Sequence, residues 1–190
     1  MNSNKNDSIA THMVDTQSIQ VEPGEHIVLS PESQRFKRNY RQVRPRTADE
    51  VREIIGLSAE SAKALHEQGA CCQPSANFAA TVSAEELDSA DDAVRARAWD
   101  ITSKALKNFV YSVNPASLSQ MKPAFEGYLH KGEAVLNIAA LQDIVVADGA
   151  TLTISMNTHL VTANKIIVHK TGRIVCSGFT KFTVTSIEGI

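Results

Sequence analysis

The sequence predicts an α+β protein: a short triangular parallel β-solenoid of about three coils, with an α-helical subdomain inserted into it. Three observations carry that expectation. The C-terminal third repeats itself every 22 residues. Within each repeat, apolar and polar residues alternate with the period of a strand. Between residues 31 and 135 the apolar spacing changes to that of amphipathic helices.

The repeat pairs Ile144 with Ile166, Val146 with Val168, Leu152 with Ile174, Ile154 with Cys176, Leu160 with Phe182 and Thr162 with Val184. Three short strands per repeat are expected, with Ile144, Leu152 and Leu160 filling the interior in rows. Gly149 and Gly172 mark turns that need positive φ or a missing side chain. Repeats of this kind need about three copies to bury a core. The missing coil is found by matching Val21-Glu22-Pro23-Gly24-Glu25-His26-Ile27-Val28-Leu29-Ser30 to the segment Val146–Ser155. Ile138 lies 22 residues before Leu160, which makes Leu136–Ala140 the third strand of that first coil. The resulting organisation is a disordered tail at 1–17, a solenoid of 18–30 plus 136–190, and an insertion at 31–135. A separate β-hairpin of Ile19–Val21 and Ile27–Leu29 around Pro23-Gly24 is the alternative for the N-terminal strands. A β-sandwich is the alternative for the whole if the period is accidental.

The repeat block resembles a right-handed parallel β-helix of the pectate-lyase-like kind, over about 50 contiguous residues. The resemblance is one of pattern. Enzymes of that kind carry acids, or acids with Arg and Lys, along a groove of many coils. Here the repeat block offers Asp143, Asp148 and Glu188. Asp148 precedes a glycine in a turn, which is ordinary turn chemistry. No two acids share a face at glycosidase spacing, and no spacing links Ser, His and Asp. His159 and His169 are outward in the alternation and read as surface residues. No catalytic, cofactor-binding or metal-ligating residue is assigned, and no cofactor is expected.

In the insertion, Thr47 and Glu50 form a capping box that starts a short helix ending at Gly56. Ser83 and Glu86 form a second one, starting a helix expected to run to about Tyr111. Its apolar face is Leu87, Ala90, Val94, Ala98, Ile101, Ala105 and Phe109. A further short helix is expected at 117–130, broken near Pro123. The outward apolar residues Val145 and Ile167 mark the flank expected to receive the helices. Residues 48–67 resemble a helix-turn-helix DNA-binding motif, with Val51, Ile55, Gly56, Leu57, Ala62 and Leu65 in its core positions. Arg52 departs from that motif, which has a small residue there, and a plain helical hairpin accounts for the same pattern.

The chain has 190 residues and a formal net charge of −2, so no whole-molecule polyanion binding is implied. Six of its 19 basic residues nevertheless fall in one stretch free of acids: Arg35, Lys37, Arg38, Arg41, Arg44 and Arg46. With Phe36 and Tyr40 between them they are the candidate polyanion contacts. A connector that pairs with the acidic remainder of the chain is the alternative. A second candidate surface, for assembly or for a glycan, is Arg173, Val175, Lys181, Thr183, Val184 and Thr185 on the last coil.

The three cysteines, Cys71, Cys72 and Cys176, make no disulfide framework. Cys176 reads as a buried small hydrophobe beneath Ile154. The longest apolar runs are too short to span a bilayer, and no signal peptide precedes them. The default compartment is therefore the cytoplasm, although leaderless export leaves no such mark. The functional expectation is a non-catalytic structural or interaction protein that self-associates or docks on a larger assembly. A carbohydrate-binding module is the first alternative, and a DNA-binding protein using 35–67 the second. Expected partners are a homo-oligomer or larger protein assembly, with a glycan or nucleic acid in the alternatives, and no membrane.

Overall fold

The computed structural model describes residues 16–56, 82–111, 115–132 and 134–190; within these, the side chains of 84 and 115–117 are not described. Nine strands and four α-helices are assigned among them. The strands are β1 (Ile19–Val21), β2 (His26–Leu29), β3 (Tyr40–Val43), β4 (Leu136–Ala140), β5 (Asp143–Val146), β6 (Thr151–Ile154), β7 (Leu160–Val168), β8 (Arg173–Cys176) and β9 (Lys181–Gly189). The helices are α1 (Ala48–Ile55), α2 (Ala84–Leu87), α3 (Asp92–Tyr111) and α4 (Lys122–Lys131).

The strands form two sheets, not the three faces of a triangular solenoid. A six-stranded mixed sheet runs β1-β5-β7-β4-β3, with β9 also on β7, and a three-stranded sheet runs β2-β6-β8. The solenoid expectation fails for an identifiable reason. A third face needs a third corner, and the segments Thr162–Lys165 and Val184–Ser186 contain no Gly or Pro to make one. β7 and β9 therefore continue through nine residues each, and two expected faces fuse into one curled sheet. The bend stays hydrogen-bonded: Leu141 N–H donates to Thr162 O at 2.9 Å, and Asn164 N–H to Gln142 O at 2.7 Å. β3 then adds to β4 antiparallel, which no solenoid coil would do.

Parallel pairing does follow the repeat over much of its length. Ile19 pairs with Ile144 and Ile144 with Ile166; Ile27 pairs with Leu152 and Leu152 with Ile174. β1 and β2 thus each join a different sheet, and the hairpin alternative is not formed. The last step differs. β9 pairs with β7 at an offset of 21, setting Lys181, not Phe182, opposite Leu160. The turn from β8 to β9, Ser177–Thr180, is one residue shorter than the Ser155–His159 turn before it.

Two cores result. One lies between the sheets, where Val21, Leu29, Ile144, Val146, Leu152, Ile154 and Val161 are wholly buried. Full burial of each such side chain contributes about 1.5–3 kcal/mol. The other lies between the helices and the opposite face of β4 and β7, and takes in Leu136, Ile138 and Leu160. Leu160 therefore faces the helices and not the interior row expected for it. The helices cover the Leu136–Leu160 patch, and Val145 and Ile167 are left half-buried.

Both capping boxes form, with Glu50 N–H donating to Thr47 Oγ1 at 3.1 Å and Glu86 N–H to Ser83 Oγ at 3.3 Å. The long helix expected from 84 is interrupted. Asp91 Oδ1 accepts from Ala93 N–H (2.8 Å) and Val94 N–H (3.3 Å), so Asp91 caps a fresh helix and α2 ends first. Pro123 does not break the next helix but sits in the first turn of α4, where a missing N–H costs nothing. Arg52 donates to Phe109 O at 2.6 Å and Val110 O at 3.1 Å. It thereby closes the C-terminal turn of α3, a favoured place for a cation. The second helix of the helix-turn-helix-like segment, Cys71, Cys72 and residues 1–15 of the tail expected at 1–17 lie outside the described residues.

Candidate functional site

The two ends of the stacked strands differ. At the β1–β2 end, Phe36 is 4% exposed and belongs to the same buried cluster as Ile19, Val21, Ile27 and Leu29. Tyr40 packs against that cluster and shares a 2.7 Å hydrogen bond with Thr158 Oγ1. Burial pushes the Tyr40 hydroxyl up to about 12. This end of the core is closed by the chain itself.

The β8–β9 end is open. Ile174, Phe182 and Val184 continue the interior rows but are only partly buried. Val175, Ile187 and Ile190 are exposed at 45%, 65% and 63%. Ile187 stands over Ile166, which is 2% exposed, so the same row passes from core to surface in one step. Cys176, expected to be buried, is free and exposed because no layer follows it. The outer backbone edges of β8 and β9 pair with no described strand. Two of the charges beside them are taken up internally: Lys181 Nζ donates to Gly56 O at 2.8 Å, and Lys165 pairs with Glu188 at 2.8 Å, while Arg173 on β8 is exposed.

The predicted assembly or glycan residues divide along these lines. Arg173 and Val175 lie exposed on β8, and Thr183 and Thr185 exposed on β9. Val184 points into the core, and Lys181 is engaged with the end of α1. They lie on the final strands of two different sheets and do not share a face.

The predicted polyanion contacts are also dispersed. Arg35 pairs with Glu25 at 3.3 Å and lies over the Phe36 ring at 5.3 Å. Lys37 and Arg38 are exposed on a single 3-10 turn, and Arg41 is exposed on edge strand β3. Arg44 and Arg46 alone come together, lining a shallow groove with Glu126 and His130. The exposed Arg41 on β3 protects that edge from pairing with another strand, whereas Lys181 on β9 is turned to Gly56 O.

A separate cavity of about 460 Å³ lies between the helices and the sheet. Its walls are mostly apolar, from Ile55, Leu106, Val110, Leu129 and Leu136, with Tyr111, Tyr128 and His159 among them. Phe179, 71% exposed, stacks on Tyr111 with ring centroids 5.8 Å apart. His159 is thus not a plain surface histidine. Its Nδ1 accepts from Asn137 N–H at 3.1 Å, and burial lowers its pKa. The alternation did place His159 on the outer side of the strand; it could not show that helices cover that side. Phe179, a large aromatic in a glycine-containing turn, was the legible sign of this site.

Among the described residues, no three His, Cys, Asp or Glu side chains come together as a metal site, and no helix is long and apolar enough to cross a membrane. Comparison with protein-family models, curated proteins and solved structures finds no match to this chain.

Proposed function

We propose that this is a non-catalytic structural and interaction protein that self-associates through the open β8–β9 end. The observation that carries this reading is the asymmetry of the two ends: Phe36 seals one, while the Ile174, Phe182 and Ile187 rows reach the surface at the other. A partly apolar edge with unpaired N–H and C=O groups is a template for another strand. A second copy of the chain fits it well. Its own β8–β9 end presents the same rows, and the two-fold contact that joins them is the commonest symmetry of homo-oligomers. Such a contact runs β9 against its copy in antiparallel register. Thr183, Thr185 and Ser186 add no charge to oppose it. The ammonium of Lys181 and the carboxylate of Glu188 are already satisfied within each chain.

The test is mass in solution by light scattering, from low micromolar to near-millimolar protein. The expected result is a discrete multiple of 20.6 kDa. Thr183→Lys with Thr185→Lys, both exposed in the single chain, is expected to return the mass to that of one copy. A constant single-chain mass across the whole range overturns the proposal.

A further inference from the structure

We propose that the cavity between the helices and the curled sheet binds a small apolar molecule bearing one carboxylate. Its volume of about 460 Å³ lies within the range of about 300–1,000 Å³ typical of small-molecule sites. Such sites join apolar walls to a few placed polar groups, and this one has that composition. Leu106 and Val110 from α3, Leu129 from α4 and Leu136 from β4 give it a hydrocarbon lining.

Among the described residues that line the cavity there is one lysine, Lys107, one histidine, His159, and no Asp or Glu. Lys107 has no ion-pair partner among the described residues. His159 receives the Asn137 N–H on Nδ1, so its neutral ring carries its proton on Nε2. No described residue accepts a hydrogen bond from that Nε2. A carboxylate would take one charge-assisted bond from Lys107 and another from His159, while its chain occupied the apolar wall. A cationic head would meet the like charge of Lys107 and, among the described lining residues, no carboxylate, and a neutral head would gain the weaker of these contacts.

The site contains its own reporter. Trp99 is the single tryptophan of the chain, and its ring lies 5.0 Å from that of Tyr128, which lines the cavity. The experiment titrates the full chain with octanoate, octanol and octylamine, following Trp99 fluorescence and the heat of binding. Octanoate is expected to bind at one site and about tenfold or more tighter than octanol, as charge-assisted bonds imply. Octylamine is expected not to bind. Lys107→Ala, at an exposed position, is expected to bring octanoate to the level of octanol and leave octanol unchanged. Equal affinity for the three heads, no octanoate binding, or a Lys107→Ala chain that binds octanoate normally would each overturn the proposal.

Discussion

The row Ile27–Leu152–Ile174 offers a direct measure of how open the β8–β9 end is. The three residues stand in register on adjacent strands of the smaller sheet. Leu152, in the middle, is 0% exposed, whereas Ile174, in the last layer, is partly buried. Leu152→Ala removes a side chain packed on every side and leaves a cavity, so the expected cost is about 3 kcal/mol, within the usual range of about 2–5 kcal/mol. Ile174→Ala removes one with a strand layer on a single side, so its cost in the isolated chain is expected to be about 1 kcal/mol. The difference vanishes if a second copy covers Ile174. In the assembled protein each Ile174→Ala should then cost further, and every 1.4 kcal/mol lost weakens association about tenfold. Urea unfolding followed by circular dichroism, at low and at high micromolar protein, separates the cases. Unequal costs at dilution that converge at high concentration fit the reasoning. Equal costs at dilution would refute it, because they would mean that Ile174 is already enclosed within one chain.

Two further outcomes rest on other residues. Thr102 is 0% exposed in α3, and its Oγ1 has no hydrogen-bond partner among the described residues. Thr102→Val should therefore stabilise the protein by about 1 kcal/mol and raise Tm by about 2–4 °C, while Thr102→Ser should lower it; calorimetry that found Thr102→Val destabilising would show a bonded hydroxyl. The Tyr40 hydroxyl, with its pKa raised by burial to about 12, keeps its proton in the folded chain above pH 10, where the unfolded chain loses it. Unfolding then becomes easier as pH rises from 10 towards 12, and Tyr40→Phe should flatten that slope in a pH series of urea midpoints.

The strand-pairing partners were legible in the sequence to an unusual degree, because a repeat encodes register twice. Ile19, Ile144 and Ile166 occupy equivalent places in matching segments, and parallel strands bring equivalent places together. The capping boxes at Thr47 and Ser83 were legible for a different reason: their chemistry is local and complete within four residues. What became of the strands between the turns was not local. A triangular solenoid and a two-sheet fold share the same alternation up to the corner, and they part where β7 runs on through Thr162–Lys165, a segment with no Gly or Pro.

The candidate sites divide in the same way. Sequence by itself placed Arg173 to Thr185 on the final strands and gathered the cations of 35–46 into one stretch. Tertiary structure decided which of these are exposed, because exposure depends on what arrives from elsewhere in the chain. Glu25 reaches Arg35, and the end of α1 takes up Lys181. Leu160, expected inside, faces α3 and α4 instead, and His159, expected at the surface, lines the cavity between those helices and the sheet. Cys176 occupies an inward position and remains exposed, since burial of a strand needs a layer on both sides and this one has a layer on only one. Alternation along a chain sorts residues onto two opposite sides of a strand. Only packing determines which side meets water.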